Sequence, residues 1–195
     1  MSTGLRERKK TATRQALHEA AVALTVEHGL DRVTVEAIAD AAEVSRRTFS
    51  NYFASKEEAL LYGDHLRMRL LLDIVRARPT TEPPWAALTG AALEMHHRLG
   101  ARDPQWVMQV RLARRHPALV AQQVTTYNSL EDELTAEVAR RADWSADCPM
   151  RARLMAAGFL CSIRVAIQEW LDRPAGTSLG SVMREALDET GAAFA

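Results

Sequence analysis

The 195-residue chain predicts an all-α fold of about nine helices, three in an N-terminal helix-turn-helix domain and the rest in a C-terminal helical bundle. Apolar residues recur at helical spacing in nearly every segment between prolines and glycines. No stretch combines β-branched enrichment with strict alternation. Ser, Thr or Pro stands where several periodic runs begin, as capping chemistry requires.

The first helix is expected over 5–28, with Leu17, Ala20, Ala21, Leu24 and His28 on one stripe and Gly29 as its stop. Thr34 caps a second over 35–42 and Ser45 a third over 46–53. Ser55 with Glu58 forms a capping box that opens a fourth, running to about residue 76. Three prolines in 79–84 make the clearest break in the chain, because each fixes φ and removes a donor. A fifth helix carries Trp85, Leu88, Ala92, Met95 and Leu99, and Asp103-Pro104 opens a sixth. His116-Pro117 opens a seventh, whose stripe reads Val120, Val124, Tyr127, Leu130, Leu134 and Val138. The eighth, over 149–171, has two apolar stripes: Leu154, Ala157 and Cys161, and Phe159, Ile163, Ile167 and Trp170. Either one stripe meets the subunit core and the other a partner, or the helix lies in the middle of one subunit. The ninth, over 178–194 after the Pro174-Ala175-Gly176 turn, offers Leu179, Val182, Met183, Ala186 and Leu187 as a second interface strip.

A chain of this length buries a core without help from metal or disulfide. Cys148 and Cys161 form neither a CxxC pair nor a disulfide framework and read as ordinary thiols of a reducing cytosol. The first ten residues lack the apolar core of a signal peptide, and no apolar run approaches the roughly 20 residues that span a bilayer, so a cytoplasmic protein is expected. Twenty-five basic residues balance 25 acidic ones, but Arg6, Arg8, Lys9, Lys10 and Arg14 face only Glu7 in the first fourteen positions. That concentration is either a solvated helix face or an arm for DNA.

The second and third helices, joined through Glu43-Val44, have Ile38, Ala41, Val44, Phe49 and Phe53 to pack between them, the pattern of a helix-turn-helix at 34–53. With Phe49 and Phe53 inward, the step of about 100° per residue turns Arg47 and Asn51 outward, with Thr48 and Ser50 on the shoulders. Arginine pairs bidentately with guanine and asparagine with adenine, while hydroxyls at a helix N-terminus suit phosphate. Arg46 lies nearer the buried side, yet its long side chain reaches a base or phosphate from the first turn.

The run 34–60, through Ser45-Arg46-Arg47-Thr48-Phe49-Ser50-Asn51-Tyr52-Phe53 to Ser55-Lys56-Glu57-Glu58-Ala59-Leu60, closely resembles the DNA-binding domain of TetR-family regulators. The Arg-Glu-Arg-Lys-Lys arm and the Glu27-His28-Gly29-Leu30 turn look like that family too. The resemblance implies that Arg46, Arg47 and Asn51 enter the major groove, and that Thr34, Ser45, Thr48, Tyr52 and Lys56 contact the sugar-phosphate backbone, with Lys10 in the basic arm. Thr34 and Ser45 equally serve as caps, Tyr52 as core cover and Lys56 as a solvated residue. Three positions depart from the family pattern: Glu43 stands where glycine is common, Thr25 replaces a large aromatic, and Ser50 replaces a frequent aromatic of the recognition helix.

A helix-turn-helix DNA-binding domain at 1–56 and a ligand-binding and dimerisation domain at 57–195 are therefore expected. The C-terminal half resembles, more weakly, the TetR-family subgroup with acyl-CoA-like ligands, through His116-Pro117-Ala118-Leu119, Tyr127, Leu130 and Gln168-Glu169-Trp170-Leu171. The resemblance implies a homodimer built on the eighth and ninth helices and a cavity for an amphipathic effector. Met95, Trp106, Val110, Val124, Tyr127, Phe159 and Ile163 are its candidate lining, with Arg111 as a candidate anion partner beside Arg164; apolar residues at this spacing also serve as plain core. A transcriptional repressor released from a palindromic operator is the function expected. An enzyme is the rival class, but HExxH, a glycine-rich phosphate loop and a nucleophile elbow are all missing, and His96-His97 point about 100° apart, poorly for chelation. A DNA-coating protein without sequence preference is the other rival. No cofactor and no metal site are expected.

Overall fold

The computed structural model describes residues 2–100, 104–142, 149–174 and 176–194; Asp103, Cys148 and Ala175 lie outside the described residues. The helices are α1 (Ser2–His28), α2 (Val35–Ala41), α3 (Arg46–Ser50), α4 (Lys56–Leu60), α5 (Tyr62–Ala77), α6 (Pro84–Leu99), α7 (Pro104–Ala113), α8 (Pro117–Ala142), α9 (Pro149–Asp172) and α10 (Leu179–Gly191). No strand occurs among the described residues, as the periodicity requires. The backbone forms two compact units, Met1–Leu66 with Pro104–Val124, and Arg67–Asp103 with Thr125–Ala195.

The tenth helix arises because the expected helix over 55–76 is broken at Leu61, whose φ of −87° and ψ of 6° leave the α region. Successive residues on a straight helix point about 100° apart. The break lets both Leu60 and Leu61 enter one apolar cluster with Val22, Leu30, Ala113 and Leu119. A second cluster of the first unit joins Leu17, Ala21, Val33, Ile38, Phe49, Phe53 and Ala59.

In the second unit α6, α9 and α10 pack on one another. Trp85 meets Phe159 edge-on at 6.3 Å and stacks on Phe194 at 5.2 Å. Glycine at 191 permits this approach, since a Cβ there would lie 2.3 Å from the Trp85 indole nitrogen. Arg141 of α8 is buried, its side chain 1% exposed. It pairs with Glu137 at 2.9 Å and donates to the carbonyls of Val75 (2.5 Å), Pro79 (2.8 Å) and Arg78 (3.0 Å) around the end of α5. The Val75 carbonyl belongs to the last turn of α5, at the negative end of its dipole.

Three expectations are corrected, and one open question is answered. Leu179, Val182, Met183 and Leu187 of α10 are buried within the subunit, so the strip on this helix is core and not an interface. On α8 the start of the inward stripe falls on Leu119, which joins the Leu60–Leu61 cluster, and turns Val120 and Val124 outward; Val124 is 52% exposed and is no inward-lining residue. Arg111 and Arg164, whose burial the sequence leaves open, are both exposed. Finally, Met150–Asp172 does have the length and apolarity of a bilayer-spanning helix, although its run is interrupted by polar residues. One side of it, with Met155, Phe159 and Ile163, is subunit core; the other presents Met150, Leu154, Cys161 and Val165, with Leu154 57% exposed. Of the two readings of this helix, the one with a separate outward stripe matches the burial.

Candidate nucleic-acid interface

Each helix of the motif starts on a side-chain cap. Thr34 accepts from the Ala37 N–H at 3.1 Å and Ser45 from Thr48 N–H at 3.0 Å. Ser55 accepts from Glu58 N–H at 3.1 Å, while the Glu58 carboxylate reaches back to the Ala54 N–H at 2.7 Å, one residue before the usual capping-box partner. Between α2 and α3, Val44 N–H bonds back to the Ala39 carbonyl at 2.9 Å, and the chain turns on Glu43 at φ 55°. This is the left-handed conformation that a glycine adopts freely, and a side chain there carries strain.

Helix α3 closes at Ser50, sooner than the expected 53, because Tyr52 N–H bonds to the Phe49 carbonyl three residues back (2.8 Å) and tightens the last turn. Phe49 and Phe53 are buried, and Arg46, Arg47, Ser50 and Asn51 are exposed. The Arg47 side chain has no partner among the described residues, whereas Arg46 is paired to Glu36 of α2 at 2.9 Å. The Ser50 hydroxyl bonds back to the Arg46 carbonyl (3.2 Å). Thr48 shares a hydroxyl bond with Ser45 (2.9 Å) and, like Tyr52, is half-buried. The α2–turn–α3 unit thus exposes two guanidinium groups, an amide and two hydroxyl caps around its buried core.

Sequence reasoning missed two placements. Lys56 is not simply solvated: its ammonium donates to the carbonyls of Leu30 (2.8 Å) and Val33 (2.9 Å), which leaves one of its three N–H groups without a partner among the described residues. Arg14 is withdrawn from the basic arm. Its guanidinium lies 5.6 Å from the Phe53 ring centroid and 5.4 Å from that of Tyr62, and donates to the Tyr52 carbonyl at 3.2 Å. Arg6, Arg8, Lys9 and Lys10 remain exposed along α1.

Of the effector candidates, Met95, Phe159 and Ile163 are buried and Tyr127 half-buried in the second unit. Trp106, buried, and Val110, half-buried, belong to the first unit together with exposed Arg111 and Val124.

An all-helical chain with a capped helix-turn-helix and an exposed Arg-Arg-Asn face defines a DNA-binding regulator. Residues 17–62 match the family model for bacterial regulatory proteins of the tetR family, and residues 82–195 match that for the MftR C-terminal domain. The chain is 34% identical over 173 residues to the HTH-type transcriptional regulator TcmR of Streptomyces glaucescens, covering 86% of this chain and 76% of that one. It is 29% identical over 191 residues to the putative mycofactocin biosynthesis transcriptional regulator MftR of Mycobacterium tuberculosis, covering 95% and 92%. In structure it is similar to the TetR-family repressor FadR of Thermus thermophilus in complex with lauroyl-CoA, with a TM-score of 0.59 at 22% identity over 91% and 92% of the two chains. The chain belongs to the TetR family of transcriptional regulators.

Proposed function

We propose that this protein is a cytoplasmic homodimeric repressor that binds a palindromic operator and leaves it when a hydrophobic effector binds. The observation that carries the reading is the exposed face of Arg46, Arg47 and Asn51 behind a buried Phe49. In this reading residues 1–56 grip DNA, with Thr34, Ser45, Thr48, Tyr52, the remaining N–H of Lys56, and Lys10 on the backbone. Residues 57–195 dimerise and sense the effector. The outward stripe of α9, Met150, Leu154, Cys161 and Val165, supplies the self-complementary apolar strip that a twofold interface needs.

The effector we favour is an acyl-CoA or similar amphipath, received in the second unit near Met95, Tyr127, Phe159 and Ile163; FadR, the related fold described above, was solved with lauroyl-CoA. The exposure of Arg111 and Arg164 favours a second reading, a hydrophobic molecule without an anionic head. One titration separates the two. The duplex that the protein selects from a random pool is bound, then challenged with acyl-CoAs of graded length, the matching fatty alcohols, and coenzyme A alone. Release by acyl-CoA alone supports the first reading, and release by the alcohols the second. Linkage requires that the effective ligand bind DNA-bound protein more weakly by the same factor. Failure to select any duplex would reject the repressor reading itself.

A further inference from the structure

We propose that Arg14 is a positioning residue for DNA recognition: held between the rings of Phe53 and Tyr62, it fixes the end of the recognition helix to the start of α5. The proposal rests on α3 being the helix that reads DNA.

The geometry is that of a closed box. The Phe53 and Tyr62 rings meet at 5.5 Å and 68°, and the Arg14 guanidinium lies within 5.6 Å of both centroids. Tyr62 is held from a third side by His18, 5.8 Å away and at 73°. His18 is itself anchored by its Nδ1 to the Ala59 carbonyl at 2.8 Å. Arg14 then donates to the Tyr52 carbonyl, which lies just past the last turn of α3.

The chemistry of this site is specific to arginine. A flat guanidinium lies against two ring faces and still extends an N–H to a carbonyl, which a lysine ammonium cannot do together. The buried Arg14 Nε–H meets no acceptor, and no carboxylate pairs with the guanidinium among the described residues. A cation kept in such a place is costly for mere space-filling, which a methionine would do more cheaply. What arginine adds is direction: it ties α1, the Tyr52–Phe53 turn and the first residue of α5 at one point. Base reading depends on placing Arg47 and Asn51 to within fractions of an ångström, and those side chains stand on the helix that this point terminates.

The test compares wild type with Arg14→Met, Arg14→Lys, Tyr62→Phe and Tyr62→Leu as full-length proteins. Affinity is measured for the duplex that wild type selects from a random pool and for a scrambled duplex, each over a range of salt. Loss of a desolvated cation–ring contact predicts about tenfold weaker binding of the selected duplex for Arg14→Met. Binding of scrambled DNA and the salt slope stay as in wild type. Arg14→Lys and Tyr62→Leu fall on the same side, and Tyr62→Phe, which keeps the ring, behaves as wild type. Hydrogen exchange without DNA gives an independent measure: the amides of Asn51, Tyr52 and Phe53 exchange faster in Arg14→Met, while those of α2 do not. Equal losses on both duplexes with the salt slope reduced by about one would make Arg14 a phosphate contact and overturn the proposal. So would unchanged exchange at 51–53. If wild type selects no duplex, the DNA-binding reading fails, and the exchange experiment still decides whether Arg14 holds α3.

Discussion

Arg46 and Glu36 stand 2.9 Å apart across the turn of the motif, while the neighbouring Arg47 has no side-chain partner among the described residues. The pair is exposed on both sides, so it contributes little to stability, and its effect is on availability. In the proposed DNA complex a base or phosphate would compete with Glu36 for Arg46 and meet no such competitor at Arg47. Arg47→Ala is therefore expected to cost about 1–3 kcal/mol on the selected duplex and to relax base preference. Lys10→Ala weakens all sequences alike and reduces the salt slope. Equal losses on selected and scrambled DNA would remove Arg47 from base reading. Glu36→Gln, by releasing Arg46, strengthens binding to both.

Two substitutions stabilise the first unit. Glu43→Gly relieves the φ of 55° by about 1 kcal/mol. Thr25→Val removes a buried hydroxyl that has no hydrogen-bond partner, a gain of about 1 kcal/mol. Both appear as a raised denaturation midpoint; a fall for Thr25→Val would mean that the hydroxyl has a partner.

Arg141→Leu is expected to destabilise by about 3–5 kcal/mol, because it leaves Glu137 buried beside Arg140 alone and removes three bonds to the carbonyls of Val75, Arg78 and Pro79. Burial pushes the Glu137 carboxyl up, but hydrogen bonds from Arg140 and Arg141 outweigh it and hold the group below its ordinary value. The stability this carboxylate supplies is present above the unfolded value and is lost as pH falls through the folded one. Urea melts from pH 7 to pH 4 are expected to flatten in Glu137→Gln relative to wild type.

His96 behaves in the opposite way to a histidine that gains a partner. Burial, assisted by neighbouring His97, lowers its pKa from the ordinary 6.5. Its ring packs over Gly180, where a Cβ would come within 3.0 Å of it. Below pH 6.5 the unfolded chain takes up a proton that the folded one refuses, so this contribution is complete above that value and lost on acidification towards the folded pKa. His96→Gln removes that part of the acid sensitivity in melts between pH 7.5 and 5.5; an unchanged slope would show that the site does not titrate in this way.

The two apolar strips give different failures. Leu154→Arg, on the outward face of α9, is expected to yield folded monomers that lose operator affinity, as light scattering and circular dichroism together would show. Val182→Arg buries an unpaired charge inside the subunit and costs folding itself. A folded dimer with Leu154→Arg would move the interface elsewhere.

The caps at Thr34, Ser45 and Ser55 and the outward turn of Arg47 and Asn51 were legible in the sequence because each rests on chemistry within four residues along the chain. Lys56 and Arg14 were not, since their carbonyl partners at Leu30, Val33 and Tyr52 lie 23 to 38 residues away. Periodicity identified Leu179, Val182, Met183 and Leu187 as one apolar strip but contains nothing to say whose surface covers it. On α8 it placed Val120 and Val124 on the inward stripe, and the Leu60–Leu61 cluster, distant in sequence, instead takes Leu119.

The break at Leu61 also bears on how the chain is made. The buried residues of the cluster around Phe49 all lie within 17–59, and with Tyr62, which packs against them, the cluster is available soon after that stretch leaves the ribosome. Leu60 and Leu61 instead pack with Ala113 and Leu119, which emerge more than fifty positions later. During synthesis α3 thus gains its core while a patch of leucine and valine from 22–61 still lies open to water. The interval between those two events is when a nascent chain of this protein is most in need of a chaperone.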